Sequence, residues 1–141
     1  MNSIKQTIEM NELKIGVKLK LSALWVAMML LYIYADILSL FRPGQIKEMT
    51  EGFMGPLPVT QISLLAASLL MIIPAVMVFL CLTLKPKINR WANITLGGLY
   101  TIVNISNLIG ETWVYYLFFG IIEIGLALLI VWYAWKWPKV V

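Results

Sequence analysis

Histidine is absent from the chain, and cysteine occurs once, at Cys81. Without an imidazole there is no Ser-His pair, no histidine ligand for haem or zinc, and no side chain that ordinarily titrates near neutrality. Acid–base chemistry therefore falls to carboxylates or tyrosines. One cysteine excludes an intrachain disulfide and a thiolate metal cluster, so within its apolar run Cys81 reads as a small packing residue. No metal and no cofactor are expected. Charge is also scarce: 13% of the 141 residues are charged and 61% are hydrophobic. A soluble domain carries roughly 25% charged residues, so one small integral membrane domain is expected. The net charge of +4 raises nucleic acid as a partner. Lys and Arg sit instead at the ends of apolar segments, with no basic face interleaved with aromatics, and no nucleic acid is expected.

In Met1 to Lys20, the cations Lys5, Lys14, Lys18 and Lys20 alternate with Ile4, Ile8 and Leu13. Residues 1–20 therefore read as a cytoplasmic or interfacial segment leading into the lipid. A transmembrane domain follows over 21–137, with spans at about 21–41, 59–84, 91–109 and 113–136. Leu21 to Leu40 is as long as a full span and no small-residue cleavage site follows it, which argues against a cleaved signal peptide. The expected fold is all-α: a four-helix transmembrane bundle, up-down-up-down. Arg42-Pro43-Gly44 stops the first span. After it, Ile46, Met49 and Phe53 recur at helical spacing opposite Lys47, Glu48 and Glu51, which predicts a short amphipathic extracytoplasmic helix between spans 1 and 2. Gly52, Gly55, Pro56 and Pro58 then suit a plain connector or the hinge of a lid. Pro74 predicts a kink in the second span unless neighbouring groups adjust, and Lys85 to Arg90 reads as a basic turn.

Asp36 is the costly residue. A charge at membrane depth costs roughly 2.5 to 3.5 kcal/mol, so Asp36 is expected to face a partner or cavity, or to be neutral. Trp25, Met29, Tyr32, Asp36 and Ser39 share one helical face. On the third span Asn93, Gly97, Tyr100, Asn104, Asn107 and Glu111 form a polar stripe, and on the fourth Tyr116, Gly120, Glu123 and Ala127 line up. At about 1.5 Å per residue, Asp36 lies about 22 Å from the cytoplasmic end of its span, and Asn104 and Glu123 about 20 Å from theirs. They share one level. Two carboxylates and an amide converging there would share a proton or bind a cation. The candidate ligand- or proton-binding residues are thus Asp36, Glu123, Asn104, Tyr32, Tyr100 and Asn107. The plainer alternative is interhelical hydrogen bonding, preferred for Asn93 and Ser68, while Gly97, Gly98 and Gly120 read as close-contact positions.

The runs Tyr32-Ile33-Tyr34-Ala35-Asp36, Met54-Gly55-Pro56-Leu57-Pro58-Val59-Thr60-Gln61, Asn89-Arg90-Trp91-Ala92-Asn93-Ile94 and Val131-Trp132-Tyr133-Ala134-Trp135 resemble an uncharacterised family of small bacterial membrane proteins with four predicted spans. The similarity covers nearly the whole chain from about Lys18. It implies a multi-pass protein of the bacterial inner membrane and adds no catalytic residue. The plan is also similar to that of DoxX-like proteins, a likeness of fold alone.

Three functions compete. A small binder or transporter would use Asp36 and Glu123 to take up a proton or a cationic or lipophilic solute, with tyrosine faces assisting. A structural or accessory subunit would pack its polar stripe against another chain, including a homo-oligomeric copy. A membrane enzyme would need one carboxyl as acid and the other as base on a lipophilic substrate, and no catalytic signature is present. Binding or transport ranks first, the accessory role second and an enzyme third.

Orientation follows from charge. Nine of the eleven Lys and Arg lie in the N-terminal segment, the second link and the C-terminal tail, against Arg42 and Lys47 on the other side. Both termini are expected in the cytoplasm. Trp25, Trp91, Trp132, Trp135 and Trp137 gather toward that side, and Trp113, Tyr115 and Tyr116 toward the other, as two aromatic belts would. Tags at both termini should be shielded from external protease while a tag near Glu51 is cut. Cleavage at Glu51 from the cytoplasmic side alone would reverse this orientation.

Overall fold

The computed structural model describes residues 14–138, so most of the expected 1–20 segment lies outside the described residues. The described residues form five helices and a minimal hairpin: α1 Val17–Ser39, α2 Gln45–Thr50, β1 Phe53–Met54, β2 Leu57–Pro58, α3 Gln61–Thr83, α4 Pro86–Leu108 and α5 Val114–Trp135. The strands pair antiparallel, Phe53 with Pro58 and Met54 with Leu57. Helices α1, α3 and α5 are long and apolar enough to cross a membrane. Their 22 or 23 residues give about 33 Å, close to a hydrocarbon core of about 30 Å. Helix α4 also has 23 residues, but Lys87, Asn89, Arg90, Asn93, Asn104 and Asn107 dilute its apolar character.

Local chemistry sets the boundaries. Pro86 occupies the first turn of α4, where its missing N–H would have been an orphan anyway. The expected basic turn therefore shrinks, and Lys87 and Arg90 are helical. Helix α3 starts at a reciprocal cap: Thr60 Oγ1 accepts from the Ser63 amide at 3.0 Å, and the Thr60 amide donates to Ser63 Oγ at 2.8 Å. Helix α2 ends before Phe53, which lies in β1. Gly52, at φ 90°, takes a left-handed conformation that few other residues adopt, and it breaks the helical periodicity there.

Pro74 does not interrupt α3. Proline deprives the carbonyl four residues earlier, that of Leu70, of its helical donor. Tyr100 on α4 replaces that donor, its hydroxyl giving a hydrogen bond of 2.6 Å to Leu70 O. At the end of the same helix, Asn89 Nδ2 donates to the Cys81 carbonyl at 2.6 Å. Such side-chain bonds matter because α3 and α4 otherwise touch sparsely, whereas α1 packs against both α3 and α5, and α4 against α5.

Helices α4 and α5 run antiparallel, since Arg90 meets Ala134, Gly97 meets Ala127 and Ile130, and Leu108 meets Gly120. A Cβ on Gly97 would come within 2.9 Å of Val131 Cγ2 and 3.1 Å of Ile130 Cγ2, and one on Gly120 would overlap the Leu108 side chain. Gly98 faces open space. The core includes Leu21, Trp25, Met28, Tyr100, Ala127 and Ile130, with Trp25 and Tyr100 rings edge-on at 5.7 Å. Trp25 is fully buried, so it belongs to the core and not to an interfacial belt; Trp91, Trp113, Trp132 and Trp135 are exposed.

Gly97→Val should lower stability by about 1 to 3 kcal/mol through overpacking of the α4–α5 contact. Gly98→Val should cost far less. Thermal unfolding of both variants in detergent measures the difference, and equal losses would show that the α4–α5 contact does not depend on the missing Cβ at position 97.

Candidate functional site

Polar groups form three levels along the helices. At the end where α3 turns into α4, Trp25 Nε1 donates to Asn93 Oδ1 at 2.8 Å, and Asn93 Nδ2 donates to Asn89 Oδ1 at 2.7 Å. Cys81 Sγ also points to Asn93 Oδ1, at 3.3 Å. All four side chains are buried, so this level is a closed network with no room for a ligand. Among the described residues no side-chain nitrogen or oxygen closed off from solvent lacks a partner, as an apolar surround requires.

At the opposite end, which carries α2 and the hairpin, Arg42 joins α1 to the α4–α5 connection. Its Nε donates to Tyr115 Oη at 2.6 Å and its Nη2 to Glu111 Oε2 at 3.1 Å. The guanidinium also lies 5.1 to 5.3 Å from the ring centres of Trp113, Tyr115 and Tyr116. Glu111 Oε1 accepts from the amides of Thr112 and Trp113, both at 3.0 Å, and so satisfies donors at the start of α5. Burial alone would raise the Glu111 pKa. The Trp113 amide, Arg42 and the Thr112 amide outweigh it and hold the carboxyl below its ordinary value. Charge counting singled out Arg42 only for its position; its clamp on three aromatic rings was missed, although Trp113-Val114-Tyr115-Tyr116 beside Glu111 was the available signal.

Between these levels lies a cavity of about 190 Å³. Helix α1 contributes Tyr32 and Asp36, α4 contributes Tyr100 and Asn107, and α5 contributes Tyr116 and Glu123. The α3 wall is apolar: Ala67, Leu70 and Met71. Five of the six sequence-derived candidates thus meet at one space. Asn104 does not line it; it is 1% exposed, with Oδ1 accepting from Tyr32 Oη at 2.5 Å and Nδ2 directed at Met28 Sδ, 3.8 Å away. Asn104 therefore fixes Tyr32 from behind. Tyr116 is the lining residue that the candidate set omitted, although its helical line with Glu123 was visible.

The two carboxyls differ in setting. Asp36 and Asn107 are exposed, near the hairpin ends of their helices, whereas Glu123 is 7% exposed. At 1.5 Å per residue Glu123 lies about 13 Å along α5 from Val114. Among the described residues neither Asp36 nor Glu123 makes a hydrogen bond or an ion pair with another side chain, and no Lys or Arg lines the cavity. The hydroxyls of Tyr32 and Tyr100 donate their hydrogens to Asn104 Oδ1 and the Leu70 carbonyl. The cavity floor is therefore fixed, while its carboxylates are free to meet whatever enters.

The model of a family of unknown function (DUF6326) matches residues 8–141. The chain belongs to this family. No curated protein matches it, and no solved structure does. Membership of DUF6326 brings no activity with it, so the chemistry of the site rests on this chain's own residues.

The Arg42–Glu111 clamp gives a pH dependence with a definite sign. Because the folded Glu111 pKa is depressed, its stabilisation is present above the ordinary carboxylate value of about 4.3 and is lost as pH falls through the folded value. At pH 7, Glu111→Gln should unfold more easily by about 1 to 3 kcal/mol, as expected for a charge-assisted bond. The gap from wild type should close in strong acid. A gap independent of pH would assign the loss to packing alone.

Proposed function

We propose that this protein is a multi-pass membrane binder or transporter-like protein that takes a monovalent cation in exchange for a proton at Asp36 and Glu123. Its four long helices act as a four-span, up-down-up-down bundle in a bacterial inner membrane, with both termini cytoplasmic and α2 with the hairpin on the extracytoplasmic side. In this arrangement α4 crosses the membrane because its polar stripe is turned inward. Asn89, Asn93, Gly97, Tyr100 and Asn104 are its buried residues, and an intramembrane polar group is tolerated when it faces the bundle interior. The cavity then opens toward the extracytoplasmic side.

The observation that carries the proposal is Glu123: a carboxyl 7% exposed, without a protein partner among the described residues, on a cavity it shares with Asp36. Hydrogen-bonding glue would have its bonds made, as Asn93 and Asn104 do. An acid left unpaired on a cavity at this depth marks a place for a proton or for a cation that enters. The groups facing it are Asp36 and Tyr32 from α1, Tyr100 from α4 and Tyr116 from α5. Arg42 lies 5.3 Å from the centre of the Tyr116 ring, does not line the cavity, and is held by Glu111.

Asp36→Asn and Glu123→Gln keep side-chain size and hydrogen-bonding capacity while removing ionisation. Both variants should insert and unfold within about 1 kcal/mol of wild type, as is usual where no buried network is broken. Wild-type protein in detergent should release protons to a pH dye when sodium or tetramethylammonium chloride is added, and Glu123→Gln should not. Asp36→Asn should release fewer. Equal release from all three proteins would remove the site, and collapse of folding in each single variant would favour a structural role.

A further inference from the structure

The donor set of the cavity narrows the cation, and we infer that its ligand is an organic ammonium ion with an apolar substituent, its head at Glu123 and Asp36 and its substituent against the α3 wall. This rests on the proton-exchange reading above and adds the ligand class. A calcium ion takes six to eight oxygens and magnesium an octahedron. Here the lining oxygens come from α1, α4 and α5 alone, and α3 presents no polar side chain, so a shell of protein oxygens does not close around a metal ion. Among the described residues no three His, Cys, Asp or Glu side chains cluster. The opposite wall, Ala67, Leu70 and Met71, offers a hard cation nothing. It offers a hydrocarbon everything it needs.

Aromatic rings complete the match. Tyr32, Tyr100 and Tyr116 come from three different helices to line the same space, and a cation with a hydrocarbon shell is attracted to aromatic faces where a strongly hydrated ion is not. Quaternary ammonium recognition uses such clusters of aromatic rings. The volume, about 190 Å³, limits the occupant. It equals the liquid share of roughly six waters, which suits an ammonium head with a short chain and excludes a polycyclic body. Leu70 and Met71 line the cavity and are also 39% and 41% exposed at the outer surface of α3. A longer chain would therefore extend past them toward lipid along the sparsely packed α3–α4 seam.

The test uses full-length protein in detergent, with sodium chloride, magnesium chloride, tetramethylammonium chloride and hexyltrimethylammonium chloride as probes. Two readouts apply: proton release to a pH dye, and protection of Glu123 from a hydrophobic carbodiimide, mapped by mass spectrometry. Each methylene buried against α3 should tighten binding about fourfold. Hexyltrimethylammonium should consequently act at a concentration at least tenfold below tetramethylammonium, and magnesium should have no effect. Ala67→Phe fills the wall and should weaken hexyltrimethylammonium at least tenfold, whereas Ala66→Phe, on the exposed side of α3, should not. Glu123→Gln controls for adsorption to micelles. If sodium alone releases protons and protects Glu123, the ammonium assignment fails and proton exchange stands. If no probe does either, both fail. Equal affinity for the two ammonium ions, or an unchanged response in Ala67→Phe, overturns the role given to the α3 wall.

Discussion

Polar groups among apolar helices must find their partners within the protein, because the surroundings offer none. This constraint explains much of the packing. Helix α4 carries the polar residues, and its buried side chains make three bonds to two neighbouring helices: Asn93 to α1 through Trp25, Tyr100 to α3 through Leu70, and Asn104 to α1 through Tyr32. Small residues do the complementary work on the α5 side, where Gly97 makes room for the Val131 and Ile130 side chains and Gly120 for that of Leu108. One helix thus adheres to α5 by shape and to α1 and α3 by hydrogen bonds.

Against that background of satisfied groups, Asp36 and Glu123 stand out. The interior closes its other polar side chains with local partners, so two acids facing a shared space mark the level where the structure departs from its own rule. Sites of function are where such departures are expected. The clamp at Arg42 and the amide network at Asn89 and Asn93 bracket this level from both ends, holding the walls while leaving the carboxyls unengaged.

Much of the helical plan was legible because apolar length and helical spacing are properties of the chain itself. The stripe on α4 was visible at three- and four-residue steps, and so was the close-contact role of Gly97 and Gly120. Asp36, Asn104 and Glu123 could be placed at one level from rise per residue alone. What could not be read was rotation. Trp25 sits on the same helical face as interfacial candidates would, and only packing shows its ring in the core with its N–H on Asn93. Asn104 shares the level of the cavity yet turns behind Tyr32. Likewise the extent of the basic turn depended on Pro86 entering the first turn of α4, a choice between two local structures that both tolerate proline.

Pro74 has a consequence beyond α3. The proline frees the Leu70 carbonyl and the hydroxyl of Tyr100 occupies it, so each residue is tolerable because of the other. Pro74 and Tyr100 form one unit of inheritance although they lie on different helices: a lineage that exchanged the proline for a residue with an amide hydrogen would release position 100 to become phenylalanine, while the reverse order of changes would first leave the Leu70 carbonyl without a donor. The order in which this pair can drift is therefore fixed by a single hydrogen bond.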